Sequence, residues 1–202
     1  MADAIAATRS AALALADERA LMRQGYGFLD QKRMLLAAEM LRLLAEHETL
    51  RAQLSAALAA AQAELRRALQ RHGLEGLQSY PPATLAPAAP QVTRSRYLGV
   101  PLLAAAFAPQ SAESERALDP SPEARACRAA FTALLAPLAR LAANTNNLER
   151  LAAEFRRTER RARALENVLL PEIERALAAI EDHLELGDQE EAVRIRLAAR
   201  AR

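Results

Sequence analysis

The sequence predicts an all-α protein: a long antiparallel left-handed coiled coil of its N- and C-terminal helices, with a proline-rich middle segment that holds a short β-hairpin. Three observations predict it. The apolar content of 51% is mostly Ala and Leu, with 3% aromatic residues and no Trp, which suits long helices better than a globule knitted by large flat rings. Leucine or methionine recurs at every seventh position, at Leu15, Met22, Leu29, Leu36, Leu43 and Leu50, and a strict seven-residue repeat winds a helix left-handed about a partner. Eight of the ten prolines fall between Pro81 and Pro122, where neither helix can continue.

The N-terminal helix occupies residues 1–74, proline-free from Asp3 to about His72. Leu21, Phe28 and Leu35 widen its stripe on one flank, and beyond Leu50 the seam continues through Leu54, Leu58, Ala61, Leu65 and Leu69. Gly25 and Gly27 sit inside this helix, where each costs up to about 1 kcal/mol relative to Ala. They are either tolerated or let another backbone approach closely. His72, Gly73 and Gly76 make a helix stop.

Residues 75–120 form the middle segment. Tyr80 to Pro90 reads as an irregular linker, and Gln110 to Ser121 as a polar connector. Between them, Val92, Thr93 and Tyr97 precede Gly99, and an apolar run Leu102 to Phe107 follows Pro101, a pattern for a β-hairpin turning at Leu98 and Gly99.

The C-terminal helix occupies residues 121–202. It opens with a capping hydroxyl at Ser121, proline at the first helical position and an early carboxylate at Glu123. A four-three alternation then runs from Cys127, Phe131 and Leu134 through Leu148, Ala152, Phe155 and Glu159 to Ala162, Glu166, Leu169, Ile173, Ala176 and Ile180. Pro137 and Pro171 each remove one backbone hydrogen bond and bend the axis. Folding the two helices back on each other, with partners whose numbers sum to about 196, sets Lys32 and Arg33 opposite Ala164 and Leu165, and Thr8 and Arg9 near Asp188 and Glu190.

Composition excludes several functions. The 27 basic residues are interleaved with 25 acidic ones for a net charge of +2, so no uniform field steers the chain onto nucleic acid. Cys127 is the sole cysteine, which rules out an intrachain disulfide and a thiolate metal cluster; it packs as a small apolar residue. No uninterrupted apolar run reaches the length of a membrane span, and Asp3 stands where a basic leader region would begin. The expectation is a soluble, cytoplasmic chain. There is no glycine-rich phosphate loop, GxSxG or HExxH, and His47, His72 and His183 are isolated. Neither a catalytic residue, nor a metal site, nor a cofactor is expected.

The strongly basic stretch is Arg150, Arg156, Arg157, Arg160, Arg161 and Arg163. It reads either as a solvated face paired along the helix with Glu149, Glu154 and Glu159, or as a surface for carboxylates of another protein, which guanidinium forks suit. Glu166, at a seam position, is odd in a core and is expected to bridge Lys32 or Arg33.

These residues resemble a known family, the D subunits of the V/A-type rotary ATPases, which form the central-stalk rotor shaft. Its N-terminal helix carries Thr-Arg-Ser and then Gly-Tyr-x-Leu-Leu-Lys-x-Lys-Arg; here stand Thr8, Arg9, Ser10 and then Gly25, Tyr26, Gly27, Phe28, Leu29, Asp30, Gln31, Lys32, Arg33. Its C-terminal helix carries Arg-Arg-Val-Asn-Ala-Leu-Glu and an apolar run into proline; here it is Arg160, Arg161, Ala162, Arg163, Ala164, Leu165, Glu166, then Asn167 to Pro171. Glu190, Glu191, Arg194, Ile195 and Arg196 match its charged end, and Leu98 to Pro101 resembles its Gly-Val-x-Val-Pro segment. Departures are Ala162 and Arg163 for Val-Asn, Asp30 for the first Lys and Met34 for Asp.

The resemblance implies a non-catalytic shaft inside the hexamer of A and B subunits. It binds the small F subunit of the stalk on its side and docks on the subunit capping the membrane ring, peripheral to the membrane and not inserted in it. It would transmit torque during ATP synthesis or ATP-driven ion pumping. Partner-binding residues implied by the matched motifs and the basic stretch are Thr8, Arg9, Lys32, Arg33, Arg157, Arg160, Arg161, Arg163, Glu190 and Arg194. Two other classes compete: a coiled-coil scaffold or adaptor, and an Arg-rich nucleic-acid-binding helical protein whose affinity falls steeply with salt.

Overall fold

A computed structural model describes residues 8–81, 84–86, 89–112 and 120–200 of the chain; the part of the expected N-terminal helix in residues 1–7 lies outside them. In order, the elements are α1 (Arg9–Gln78), β1 (Thr84–Ala86), β2 (Gln91–Tyr97), β3 (Val100–Ala106), β4 (Gln110–Ala112), α2 (Pro122–Ala133), α3 (Leu135–Ala164), a π-turn (Leu165–Leu169) and α4 (Leu170–Arg200). The chain divides into two compact units, one of Met1–Leu35 with Phe155–Arg202 and one of Leu36–Glu154.

In the first unit the N-terminal part of α1 runs antiparallel to α4. Leu15 packs with Ile173, Leu177 and Ile180, and Ala11, Ala12, Met22, Ala176 and Leu184 close around them. Arg9 meets both carboxylate oxygens of Asp188 at 3.2 Å, and Arg23 meets Glu174 at 2.7 Å. Both pairs keep the expected register. Across the π-turn the register moves. A Cβ on Gly25 would sit 3.8 Å from Leu165 and Tyr26 hydrogen-bonds Glu166, so residues 25 and 26 lie beside 165 and 166, while Arg33 pairs with Asp30 at 2.6 Å. Between the two stretches lies Pro171, whose ring collides with the carbonyl four residues back and which offers no N–H. The helix widens ahead of it, the Leu170 N–H reaching back to the Leu165 carbonyl, a wide turn that holds one extra residue.

In the second unit, the seven-residue stripe of α1 is buried as expected at Leu36, Leu43 and Leu50. It then shifts by four to Ala61 and Ala68, leaving Leu58 40% exposed, as a stutter in the repeat does. Gly73 breaks the helical geometry with φ 68° and ψ 176°, a conformation open almost only to glycine, and one more turn follows to Gln78. The stop expected at Gly73 is therefore a kink. Ser121 caps α2, its hydroxyl accepting from the Ala124 N–H at 3.1 Å. Pro137 ends α2 early: the carbonyl it cannot serve is that of Ala133, and the helix breaks at Leu134, whose N–H turns to Phe131 at 3.2 Å.

The hairpin is β2 against β3, Tyr97 pairing Val100 and Gln91 pairing Ala106. Leu98 (φ 49°) and Gly99 (φ 87°) both take positive φ, the signature of a tight turn matched to strand twist. The linker and connector readings need correction, because β1 and β4 within them pair antiparallel, Leu85 opposite Ser111. These strands are three residues each, too short for alternation to show in sequence.

The C-terminal seam follows the expected track at both ends, where Leu134, Ala162, Ile173 and Ile180 are buried, and leaves it between them. From 144 to 158 the buried positions are Asn144, Asn147, Leu151 and Thr158, whereas Leu148, Ala152 and Phe155 are only half-buried and Leu138 and Leu169 are exposed. In that stretch the pattern has the right period but the wrong phase, since three of the inward positions carry polar side chains that do not register as apolar. Averaging hides a further feature: within Pro122–Arg200 one 18-residue window reaches a mean hydropathy of 1.3, with 11% of it buried.

Candidate partner-binding surface

All ten residues expected to bind partners fall in the unit formed by the two chain ends, and the structure gives them different jobs. Thr8 caps α1: its hydroxyl accepts from the Ala11 N–H at 3.2 Å, and its carbonyl accepts from Ala12 at 3.0 Å. Arg9 is tied to Asp188, Arg33 to Asp30 at 2.6 Å, Arg163 to Glu159 at 2.7 Å and Arg194 to Glu190 at 3.7 Å. Each pair is at least one-third exposed on one side and contributes little to stability. Lys32 is half-buried.

Arg156, Arg157, Arg160 and Arg161 behave differently. They are exposed on α3 and form no ion pair among the described residues. The helix-paired reading therefore holds for Arg163, which meets Glu159, and not for these four. Local geometry explains this: Thr158 and Ala162 turn inward, 2% and 1% exposed, which rotates their arginine neighbours to the outside.

Apolar side chains share this exterior. Leu21, Phe28 and Leu35 were expected to widen the buried stripe, yet they are 64%, 67% and 49% exposed, and Met34 is 65% exposed. One helix facing one partner buries a narrow seam, so positions flanking it stay in solvent. Large exposed apolar residues repeating along a helix mark a surface meant to be covered.

Tyr26 and Glu166 join the two halves of the matched motif. The carboxylate of Glu166, then desolvation, then the hydrogen bond between them raise the Tyr26 phenol above its ordinary 10.0, with Asp30 adding and Arg33 opposing. Glu166 thus meets a tyrosine rather than Arg33. A Cβ at Gly25 would make ordinary contact with Leu165 at 3.8 Å, and nothing lies within 4 Å of a Cβ at Gly27; neither position requires glycine, and both glycines are simply tolerated.

Sequence reasoning missed Asn147. Its amide donates to the Leu103 carbonyl at 2.7 Å and accepts from the Leu103 N–H at 2.8 Å, so it clamps β3 as a strand would. Arg150, counted in the basic stretch, donates to the Pro101 carbonyl at 3.1 Å. The signal was an Asn at a helix-interior position within an otherwise Ala- and Leu-rich stretch, a residue that helices disfavour unless it has a partner. Cys127 is half-buried and free, and burial followed by Glu64 pushes its thiol up, which makes it a poor nucleophile. No group of three or more metal-ligating side chains occurs among the described residues.

A paired-helix unit whose exterior carries exposed arginines with no ion pair among the described residues, beside exposed apolar side chains, defines the class of helical-shaft proteins. The chain matches the model of the family described as the ATP synthase D subunit over residues 11–200, and it belongs to that family. It is 35% identical over 199 residues to the V-type ATP synthase D subunit of Anaeromyxobacter dehalogenans, covering 95% of this chain and 93% of the relative. The V-type ATP synthase D subunit of Thermotoga neapolitana is 28% identical over 200 residues, covering 95% of each. The V-type ATP synthase D subunit numbered 2 in Treponema pallidum is 30% identical over 187 residues, covering 92% and 90%.

Proposed function

We propose that the chain is the central rotor shaft of a V-type rotary ATP synthase, turning inside a hexamer of A and B subunits and carrying torque to or from the membrane ring. Nucleotide chemistry belongs to the hexamer. The shaft presents different sides to the catalytic interfaces as it turns and so shifts their relative nucleotide affinities. The F subunit on its flank and the subunit that caps the ring are the other partners, and the chain sits peripheral to the membrane on the cytoplasmic side. The observation that carries this reading is the row of exposed arginines, Arg156, Arg157, Arg160 and Arg161, with no ion pair among the described residues, on the exterior of a helix pair in a chain matching the D-subunit family almost end to end.

A shaft of this kind needs a stiff apolar seam and an exterior that does not stick in one position; long-range charge contact meets the second need better than buried apolar area does. The test is purification from the source organism under mild conditions followed by charge reversal. The A, B and F subunits are expected to copurify. Replacing Arg157, Arg160 and Arg161 by Glu is expected to weaken hexamer binding or uncouple hydrolysis from rotation, with helix content unchanged. Purification without those subunits, or full coupling in the triple variant, overturns the reading.

A further inference from the structure

The hairpin has two edges, and the structure treats them unequally. On β3, Asn147 bonds both the N–H and the C=O of Leu103, and Arg150 takes the C=O of Pro101. Those groups therefore point away from β2. In an antiparallel pair, outward and inward positions alternate and are shared by facing residues. Leu103 faces Arg94, Pro101 faces Arg96 and Ala105 faces Val92, so Val92, Arg94 and Arg96 turn their own N–H and C=O outward from the opposite edge. Proline at 101 fits this assignment, because its missing N–H is not needed between the strands.

Nothing closes that opposite edge among the described residues. The sheet has two strands, and β2 is exposed from Gln91 through Arg96. An uncovered edge accepts a further strand unless something discourages it. The hairpin face beside this edge carries charge of one sign: Arg94 and Arg96 of β2, with Arg150 on the β3 side, line a groove of about 580 Å³ together with Val92, Ser95, Pro101 and Leu103, and no Asp or Glu lines it. Arg94 and Arg96 form no ion pair among the described residues. Two arginines at alternate positions of one strand would repel a second copy of the same strand and attract carboxylates at the same spacing.

We propose that the outer edge of β2 is a docking site for an extended, carboxylate-rich segment of another protein chain. This segment joins as a third strand, with Asp or Glu at alternate positions opposite Arg94 and Arg96. Backbone bonding to Val92, Arg94 and Arg96 supplies the affinity, and the arginine spacing supplies the selectivity. The proposal concerns the hairpin alone and stands whether or not the shaft reading holds.

The experiment uses the full chain and a decapeptide alternating Thr and Glu. Controls are a peptide with the same residues in two blocks and one alternating Thr and Lys. Amide hydrogen exchange is expected to slow several-fold at Val92, Arg94 and Arg96 with the alternating acidic peptide and at none of them with either control. Arg94→Pro removes an N–H that the hairpin itself does not use, so it is expected to abolish this protection and leave exchange on β3 unchanged. The double variant Arg94→Glu with Arg96→Glu keeps every backbone group and is expected to transfer preference to the Thr-Lys peptide. Equal binding of the block peptide, or binding without protection of these three amides, shows attraction by charge alone and overturns the proposal. So does displacement of the peptide by a short DNA strand at lower concentration, or self-association of the chain through this edge in sedimentation.

Discussion

The unit of Leu36–Glu154 and the unit formed by the two chain ends use the same vocabulary of Asn, Thr and Arg on helices in opposite ways. In the first, the polar side chains of α3 turn toward the chain itself: Asn144 donates to the Leu43 carbonyl at 3.3 Å, Asn147 clamps Leu103 and Arg150 holds Pro101. In the second, the same helix leaves Arg156, Arg157, Arg160 and Arg161 in water. The difference lies in what there is to hold. A β-hairpin packed on a helix leaves backbone groups along one edge, and buried backbone groups must be paired; a bare helix pair has satisfied its backbone already, so its arginines stay in solvent.

This contrast can be broken by mutation. Leu151→Ala removes a side chain with no exposed surface and is expected to cost about 2–5 kcal/mol by urea denaturation. Asn147→Ala deletes two hydrogen bonds and orphans both backbone groups of Leu103; a cost of roughly 1–3 kcal/mol is expected, with faster amide exchange on β3 while α4 is unaffected. Equal loss of protection in both units would mean that Asn147 serves the whole fold rather than the hairpin.

The Tyr26 and Glu166 contact sharpens the comparison from the other side. Because the folded phenol is raised above its ordinary 10.0, its contribution to stability is complete below that value and is lost as the pH rises through the folded one. Absorbance titration at about 295 nm, where phenolate absorbs, read as the difference from Tyr26→Phe, is expected to show ionisation later than for a free phenol. Glu166→Gln is expected to bring it back toward the ordinary value, and an unchanged titration would sever the contact. The smallest effect belongs to Arg157, Arg160 and Arg161: with no ion pair to lose, their replacement by Glu is expected to change the stability of the isolated chain by less than about 0.5 kcal/mol. A larger loss would make those arginines structural and erase the distinction between the units.

Much of this architecture was legible in order. The seven-residue leucines and the Ser-Pro-Glu start identified real elements because they rest on local chemistry: a period that needs a partner, a hydroxyl that meets an orphan N–H. The turn at Leu98 and Gly99 was legible for the same reason. Phase was harder to read than period. The inward side of α3 runs through Asn144, Asn147 and Thr158, and hydrophobicity alone chose the neighbouring track of Leu148, Ala152 and Phe155. The candidate surface divides similarly: its residues fall together in one unit, but which arginines are bound to the chain and which are free could not be read from their spacing.

What the sequence determined by itself, then, is the repertoire: helices long enough to pair, a hairpin between them, and proline positions where the helix must yield. Only the tertiary structure decided how it yields, with a break at Leu134 ahead of Pro137 and a widened turn from Leu165 to Leu169 ahead of Pro171. Each proline removes the same hydrogen bond and makes the same clash, so the local cost cannot distinguish the two outcomes. The choice rests on packing. Beyond Pro171 the register is held by Ile173, Leu177 and Ile180 against Leu15, and one residue absorbed in a wide turn keeps all three turned inward.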